Sequence, residues 1–267
     1  MTTCDRTERI ETRALQAWHA AYLVSGIKGY DWHIEAVGDA LCSVSSSDPS
    51  ILLNRVIGLG SEKPPGEEQL RAIRKIYDDA GVERFFLHVV PAWKGDDTNK
   101  LLEATGYRKY RSWMKFVHAG RAVEEMQTDL EIRPVGPEHG EAFAAIAAPA
   151  FDLREVSQPV VALLTGLEGQ IAFMSFDGEQ PAGTGTIYVD GATATLDWGA
   201  THPDFRRRGG QTAMLARRLR YARDLGCDTI CTATGEAVPG DPQHSYNNIL
   251  RNGFEEAYRR ENWVPAD

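Results

Sequence analysis

Apolar positions along the chain recur with two periods, and the changes of period mark the elements. Leu215, Leu219 and Ala222 fall at i, i+4 and i+7, which predicts an amphipathic helix ended by Gly226. Upstream, 171–176, 183–189 and 192–200 read as strands, separated by Asp177-Gly178 and Asp190-Gly191, dipeptides that suit tight hairpins. Before them come a short strand at 130–134 and a helix entered through Pro137, with Phe143, Ile146 and Ala147 on one face. Residues 159–165 predict a second short helix. After the long helix follow a strand at 228–234, a helix at 244–252 closed by Gly253, and a last strand at 256–263. The order is β-α-(α)-β-β-β-α-β-α-β.

The first half repeats this order in blurred form. A helix at 7–24 places Trp18 and Tyr22 on one side, and 41–46 and 51–57 read as strands. Leu70, Ile73, Tyr77 and Ala80 mark a helix ended by Gly81; a strand at 84–90, a helix at 100–105 and a strand at 111–117 follow. Each half closes on a helix, then Gly106-Tyr107 or Gly253-Phe254, then a strand. All seven lysines lie at or before Lys115, which puts a compositional boundary near 119–129. Two copies at so long a period indicate a duplicated α/β unit rather than a solenoid. The division is drawn at 1–125 and 126–267.

Composition narrows the class. A chain of 267 residues suits two domains, each of about 130 residues. With 42% hydrophobic and 25% charged residues a sizeable core is affordable and wholesale disorder is excluded. No apolar run approaches the roughly 20 residues of a membrane helix. The polar start lacks the apolar stretch of a signal peptide, and four cysteines are too few for a disulfide scaffold. The expected compartment is therefore the cytoplasm, with no membrane partner. A formal charge of −9 argues against a general nucleic-acid binder.

The candidate chemistry lies between residues 197 and 226. A strand ends near Thr201, Pro203 stops pairing, and a helix begins near Gly210, with Arg206, Arg207, Arg208, Gly209 and Gly210 between them. A helix N-terminus presents unpaired N–H groups and a positive dipole end, glycines permit close approach, and arginines add charge-assisted bonds. The parts suit a pyrophosphate; a solvated basic loop capping a helix would use the same residues. No Gly-Lys-Ser/Thr follows, so a P-loop is excluded, and the Gly-x-Gly-x-x-Gly dinucleotide fingerprint is absent.

Pro203-x-x-Arg206-x-x-Gly209 leading into a helix resembles the acetyl-CoA loop of the GNAT (GCN5-related) N-acetyltransferases, usually Arg/Gln-x-x-Gly-x-Gly/Ala. The element order of residues 129–263 and the ending Ser245-x-x-Asn-x-x-Arg-x-Gly253-Phe254 resemble the same family. Gln211 replaces the last Gly/Ala of the loop; it narrows the approach, but its amide is itself a donor. The first half resembles the fold without the loop: Gly58-Leu-Gly60-Ser-Glu-Lys-Pro-Pro-Gly has no arginine cluster, and its prolines remove donors. The resemblance thus implies an α/β fold of mixed α+β type. It would hold two tandem GNAT-like domains, each a mostly antiparallel sheet flanked by helices. The first would be degenerate and the second bind acetyl-CoA. It further implies that Gly199, Ala200 and Thr201 pair with the pantetheine arm, and that Arg206 to Gln211 and Thr212 wrap the pyrophosphate, with Ser245 and Asn248 as further contacts. Helix capping accounts equally for Ser245.

Acyl transfer to an amine needs a base, because an ammonium has no lone pair. Thr193, Thr195 and Asp197 alternate with Ala194, Leu196 and Trp198, so Asp197 is the first candidate base. His202 beside the loop is a second. Family members often carry a tyrosine acid four residues before the Gly-Phe pair; Ile249 stands there, and Tyr246, one turn earlier, is the candidate substitute. Phe151, Asp152, Arg154 and Glu155 would cover the acceptor. Cys227-x-x-x-Cys231 has no partner pair and the histidines show no metal spacing, so no metal is expected. Arg217, Arg218, Arg220 and Arg223 make one helix basic, without a DNA-reading motif. Trp32 and Trp93 read as packing residues. The expectation is an acetyl-CoA-dependent N-acetyltransferase of a small-molecule amine, monomeric or homodimeric. Its rivals are a silent acyl-CoA-binding or scaffolding protein and a protein-lysine acetyltransferase.

Overall fold

The computed structural model describes residues 2–91, 95–118, 120, 122–124 and 126–266, so the reading of Trp93 lies outside the described residues. Its strands are β1 (His33–Val37), β2 (Ala40–Val44), β3 (Arg55–Ile57), β4 (Phe86–Val89), β5 (Tyr107–His118), β6 (Glu131–Val135), β7 (Gln170–Asp177), β8 (Gln180–Asp190), β9 (Thr193–Thr201), β10 (Thr229–Gly235) and β11 (Phe254–Pro265). The helices are α1 (Thr3–Ser25), α2 (Glu67–Asp79), α3 (Asp96–Ala104), α4 (Gly140–Ala150), α5 (Gln158–Ala162), α6 (Gly210–Asp224) and α7 (His244–Arg251). All strands join one mixed sheet in the order β1-β2-β3-β4-β11-β5-β10-β9-β8-β7-β6.

The order shows two similar halves that exchange their last strands. β5 lies between β11 and β10, and β11 lies between β4 and β5. Each half has one parallel pair, β3 with β4 and β9 with β10, bridged by the crossover helices α2 and α6. The other strand pairs are antiparallel.

Both Asp-Gly hairpins form, at the β7–β8 and β8–β9 turns, with Gly178 and Gly191 in the left-handed region. The first half departs from its pattern in two places. Residues 33–37 form a strand that their modest apolar content does not announce. Residues 51–53 form a turn instead of opening β3. Asn54 explains this: its Nδ2 donates to the carbonyls of Asp48 and Ser50, and its Oδ1 accepts from Ser45 N–H, so side-chain bonds replace ladder bonds.

Three apolar clusters pin the layers. Leu70, Ile73 and Tyr77 of α2 pack with Leu102 of α3 and with Trp263 of the exchanged β11. Met214, Leu215 and Leu219 of α6 and Ile249 of α7 cover the second half on one face, with Phe116 of the exchanged β5 among them. Leu15 and Trp18 of α1 cover its other face, beside Phe143 of α4 and Val160 of α5. Trp18 Nε1 donates to Val160 O at 2.8 Å, and Arg6 reaches Asp228 at 3.0 Å. The first helix of the chain therefore roofs the second half.

Candidate functional site

β9 and β10 pair only from Thr193 to Thr195 and from Thr229 to Cys231, then diverge. Opposite this divergence β9 carries a bulge. Thr184 faces Ala200 and Thr186 faces Asp197, so Trp198 and Gly199 stand against Gly185 alone. Trp198 takes φ +55°, an uncommon conformation for a bulky residue. Buried Arg218 of α6 holds the distortion, its Nη1 donating to Asp197 O at 2.8 Å and Thr186 O at 3.0 Å. Gly185 leaves room for this: a Cβ there would lie 2.7 Å from the guanidinium carbon.

The bulge also breaks the alternation expected of β9. Ala194 and Leu196 pack toward α6, but Trp198 and Ala200 pack toward α1 and α4. Trp198 stacks edge-on to Trp18 at 5.2 Å.

Two cavities meet at this point. One, of about 240 Å³, lies beneath α1 and is lined by Glu11, Trp18, Arg55, Trp113, Lys115 and Phe151 together with Asp197. The other, of about 120 Å³, lies toward α6 and α7 and is lined by Gly199, Gln211, Ser245, Asn248 and Ile249. Asp197, Leu196, Phe151, Ala233 and Thr234 line both. Asp197 is exposed to the open volume where the two cavities meet. Burial pushes its pKa up, opposed by the Trp198 N–H, which donates to Oδ1 at 2.7 Å, and by the positive charge of Arg55. Oδ2 of Asp197 accepts no hydrogen bond from the described residues.

The loop before α6 leaves donors unpaired at some positions and is anchored at others. Gly209 is the N-cap at φ +74° and offers no side-chain bond, so the first N–H groups of α6 have no cap. A Cβ on Gly209 would fall 2.6 Å from Gln127 O, and one on Gly210 would fall 2.8 Å from Leu130 Cδ1. Arg206 and Arg207 are exposed and form no ion pair among the described residues. Arg208 instead reaches Asp129 at 2.5 Å and Asp177 at 2.7 Å, tying the loop to the start of the second half and to the β7–β8 turn. Thr212 hydrogen-bonds Asn248, joining α6 to α7. Ala200 is buried on the α1 side, and Thr201 pairs with Gly183 at the end of β9.

The remaining candidates lie apart from Asp197. Tyr246 packs edge-on to Phe116 and donates its hydroxyl to Glu256 Oε1 at 2.5 Å, away from both cavities; burial and Glu256 raise its pKa. His202 caps the short 3-10 turn at Pro203–Phe205 and lines neither cavity. Of the residues expected to cover an acceptor, Phe151 lines both cavities, whereas Asp152, Arg154 and Glu155 are exposed. That loop is held from the first half by buried Asp48, which accepts from Arg154 N–H at 2.8 Å and Ser157 Oγ at 2.5 Å. Along α6, Arg217 is exposed and Arg223 Nη2 lies 2.9 Å from His118 Nδ1. Cys227 and Cys231 are buried free thiols, and no cluster of three metal-ligating side chains occurs among the described residues.

Sequence reasoning missed the wall that the first half supplies. Glu11 accepts from Lys115, from Arg55 Nη1 at 3.2 Å and from Arg260 Nη1 at 2.5 Å. Burial alone would raise the Glu11 pKa; Arg260, Lys115 and Arg55 overcome it and hold the carboxyl well below its usual range. Arg260 also reaches Glu8 at 3.1 Å, and Glu8 accepts from Tyr258 at 2.6 Å. Buried groups from β3, β5, α1 and β11 thus form one network behind the cavity.

Residues 142–243 match the model of the acetyltransferase (GNAT) family. No curated protein matches the chain. A GCN5-related N-acetyltransferase from Kribbella flavida has a similar structure at 17% identity, with a TM-score of 0.65 over 97% of this chain and 95% of that chain. A GCN5-related N-acetyltransferase from Sphaerobacter thermophilus aligns at 12% identity and a TM-score of 0.59, over 100% of this chain and 95% of its own. A tandem GNAT protein from the clavulanic acid biosynthesis pathway aligns at 13% identity and a TM-score of 0.58, over 99% of this chain and 94% of its own. At these identities the likeness is one of fold. No helix among the described residues is long and apolar enough to cross a membrane. The family match thus covers residues 142–243 of the second half, and the whole chain shares its two-half fold with these structures.

Proposed function

We propose that this protein transfers an acetyl group from acetyl-CoA to the amine of a small molecule bound in the cavity beneath α1. The observation that carries the reading is Asp197, whose unpaired oxygen stands where the two cavities meet. Acetyl-CoA supplies an acyl group activated as a thioester. The donor set fits its pyrophosphate: uncapped N–H groups at the start of α6, two exposed arginines without ion pairs, and the Gln211 amide. Asp197 takes the proton that the acceptor nitrogen loses as the N–C bond forms and the C–S bond breaks. Its raised pKa makes it the stronger base for that step near neutrality. The roof of Trp18 and Phe151 limits water around the developing charge.

We read residues 1–125 as a degenerate copy that serves as a wall rather than as a second donor site. Glu67 and Glu68 occupy the first turn of α2, where their charge opposes a phosphate. A cavity of about 240 Å³ roofed by Trp18 of α1 favours a free small molecule over a lysine presented on a protein surface. A silent acyl-CoA-binding role has one observation in its favour: Tyr246 turns to Glu256, and Ile249 holds the place nearer the cavity.

Isothermal titration with acetyl-CoA tests the reading. One saturable site per chain is expected, weakened about tenfold or more by Arg206→Ala/Arg207→Ala, in keeping with charge-assisted bonds. No binding at millimolar acetyl-CoA would overturn it. Saturable binding without release of free CoA thiol across an amine panel would leave the silent reading.

A further inference from the structure

Arg55 is only 8% exposed and sits in the wall of the larger cavity. Its guanidinium carries five N–H donors, yet only Nη1 is used, in the bond to Glu11. Nε is buried without a partner. Glu11 cannot serve it further, since its two oxygens already take Lys115 and Arg260. The directly paired charges are three cations, Arg55, Lys115 and Arg260, against two carboxylates, Glu8 and Glu11. Among these paired groups one positive charge is left over, and the one other carboxyl beside it among the described residues is Asp197, which interacts with Arg55 at longer range. A buried arginine with idle donors is costly unless an anion completes it. Asp197 faces the same cavity but does not come within ion-pairing distance of Arg55.

Resting on the acetyltransferase reading above, we propose that the acceptor is a compact amino acid. Its amine lies at Asp197 and its carboxylate is clamped by the free edge of Arg55. The fork of a guanidinium matches the two oxygens of a carboxylate, which an amine lacking that group cannot offer. The same cavity is also lined by Leu15, Trp18, Trp113, Phe151 and Leu164, so an apolar or aromatic side chain completes the fit. Both halves recognise the acceptor: Arg55 comes from β3 in the first and Asp197 from β9 in the second.

The test titrates the wild-type protein with the amino acids phenylalanine, tryptophan, leucine and methionine. The same is done with the decarboxylated amine of each, and acetyl-CoA is titrated in parallel. The expected result is saturable binding of at least one amino acid, at least about tenfold tighter than its own decarboxylated amine. Arg55→Gln should abolish that preference and Arg55→Lys should restore part of it, circular dichroism showing which variants fold. The wild-type series decides the matter even if neither variant folds. Equal or tighter binding of the amines, or no binding of either series while acetyl-CoA still binds, would overturn the proposal and leave the acetyltransferase reading standing. Loss of acetyl-CoA binding would instead sink both.

Discussion

Asp197 and Glu11 are two carboxyls in one cavity with opposite electrostatic settings. Burial raises Asp197, and its nearby cation does not offset the burial. Between its usual carboxylate value and its raised folded value, the folded protein holds a proton that the unfolded chain has released. Stability therefore falls as pH rises through that window. Asp197→Asn removes this loss, so thermal melts should show a variant at least as stable as wild type at neutral pH. Its rate of thiol release should nevertheless drop by about 10²- to 10⁴-fold, the share of a general base. Glu11 behaves in the reverse sense. Its lowered pKa stabilises the fold above the usual glutamate range, and the effect is lost as pH falls through the folded value. Glu11→Gln would leave Arg55, Lys115 and Arg260 facing one another. The expected cost is about 3–5 kcal/mol in urea unfolding, typical of breaking a buried ion pair. A loss under about 1 kcal/mol would mean that water, rather than Glu11, solvates these cations.

The elements around the site are shaped by close approaches as much as by propensity. The β9 bulge exists because Arg218 projects from α6 against Gly185 and bonds the carbonyls that the bulge exposes. It turns Trp198 toward α1 and places Asp197 beside it, which regular alternation would not do. At the start of α6, Gly209 combines a left-handed backbone with contact against Gln127 O. Gly209→Ala should therefore cost about 1–3 kcal/mol through strain and displacement of the neighbouring chain. It should weaken acetyl-CoA binding as well, read by melting and titration together. Unchanged affinity would show that the pyrophosphate sits elsewhere.

At the scale of the molecule, the exchanged strands make the halves interdependent. Residues 126–267 alone would leave β10 with an open edge, because β5 normally pairs with it from Cys231 to Gly235. They would also lose Phe116 from the core under α6 and the α1 roof above β9. Expressed alone, this half should aggregate, since unpaired edges and uncovered apolar faces template association. Coexpression of 1–125 with 126–267 should recover a soluble one-to-one complex on size-exclusion chromatography. A soluble, folded 126–267 that binds acetyl-CoA would refute this dependence.

Much of this was legible in the residues, for a physical reason. Period, caps and Asp-Gly turns are local, so the elements of the second half, the loop before α6 and the polar edge of β9 could be read from short windows. The glycine loop and its arginines announced a GNAT-like domain, which the family match and the fold bear out. What local pattern could not hold was decided by tertiary structure. Glu11, Arg55 and Arg260 look like ordinary charged positions of a helix and two strands until the sheet brings them together. Arg208 reads like its two neighbours until Asp129 and Asp177 claim it. The strand exchange left no periodic trace, because a strand's pattern records which face is buried and not which neighbour it pairs with. The sequence by itself determined the elements and the glycine- and arginine-rich loop before α6. Only the packing of the first half onto the second decided the shape and charge of the cavity beneath α1.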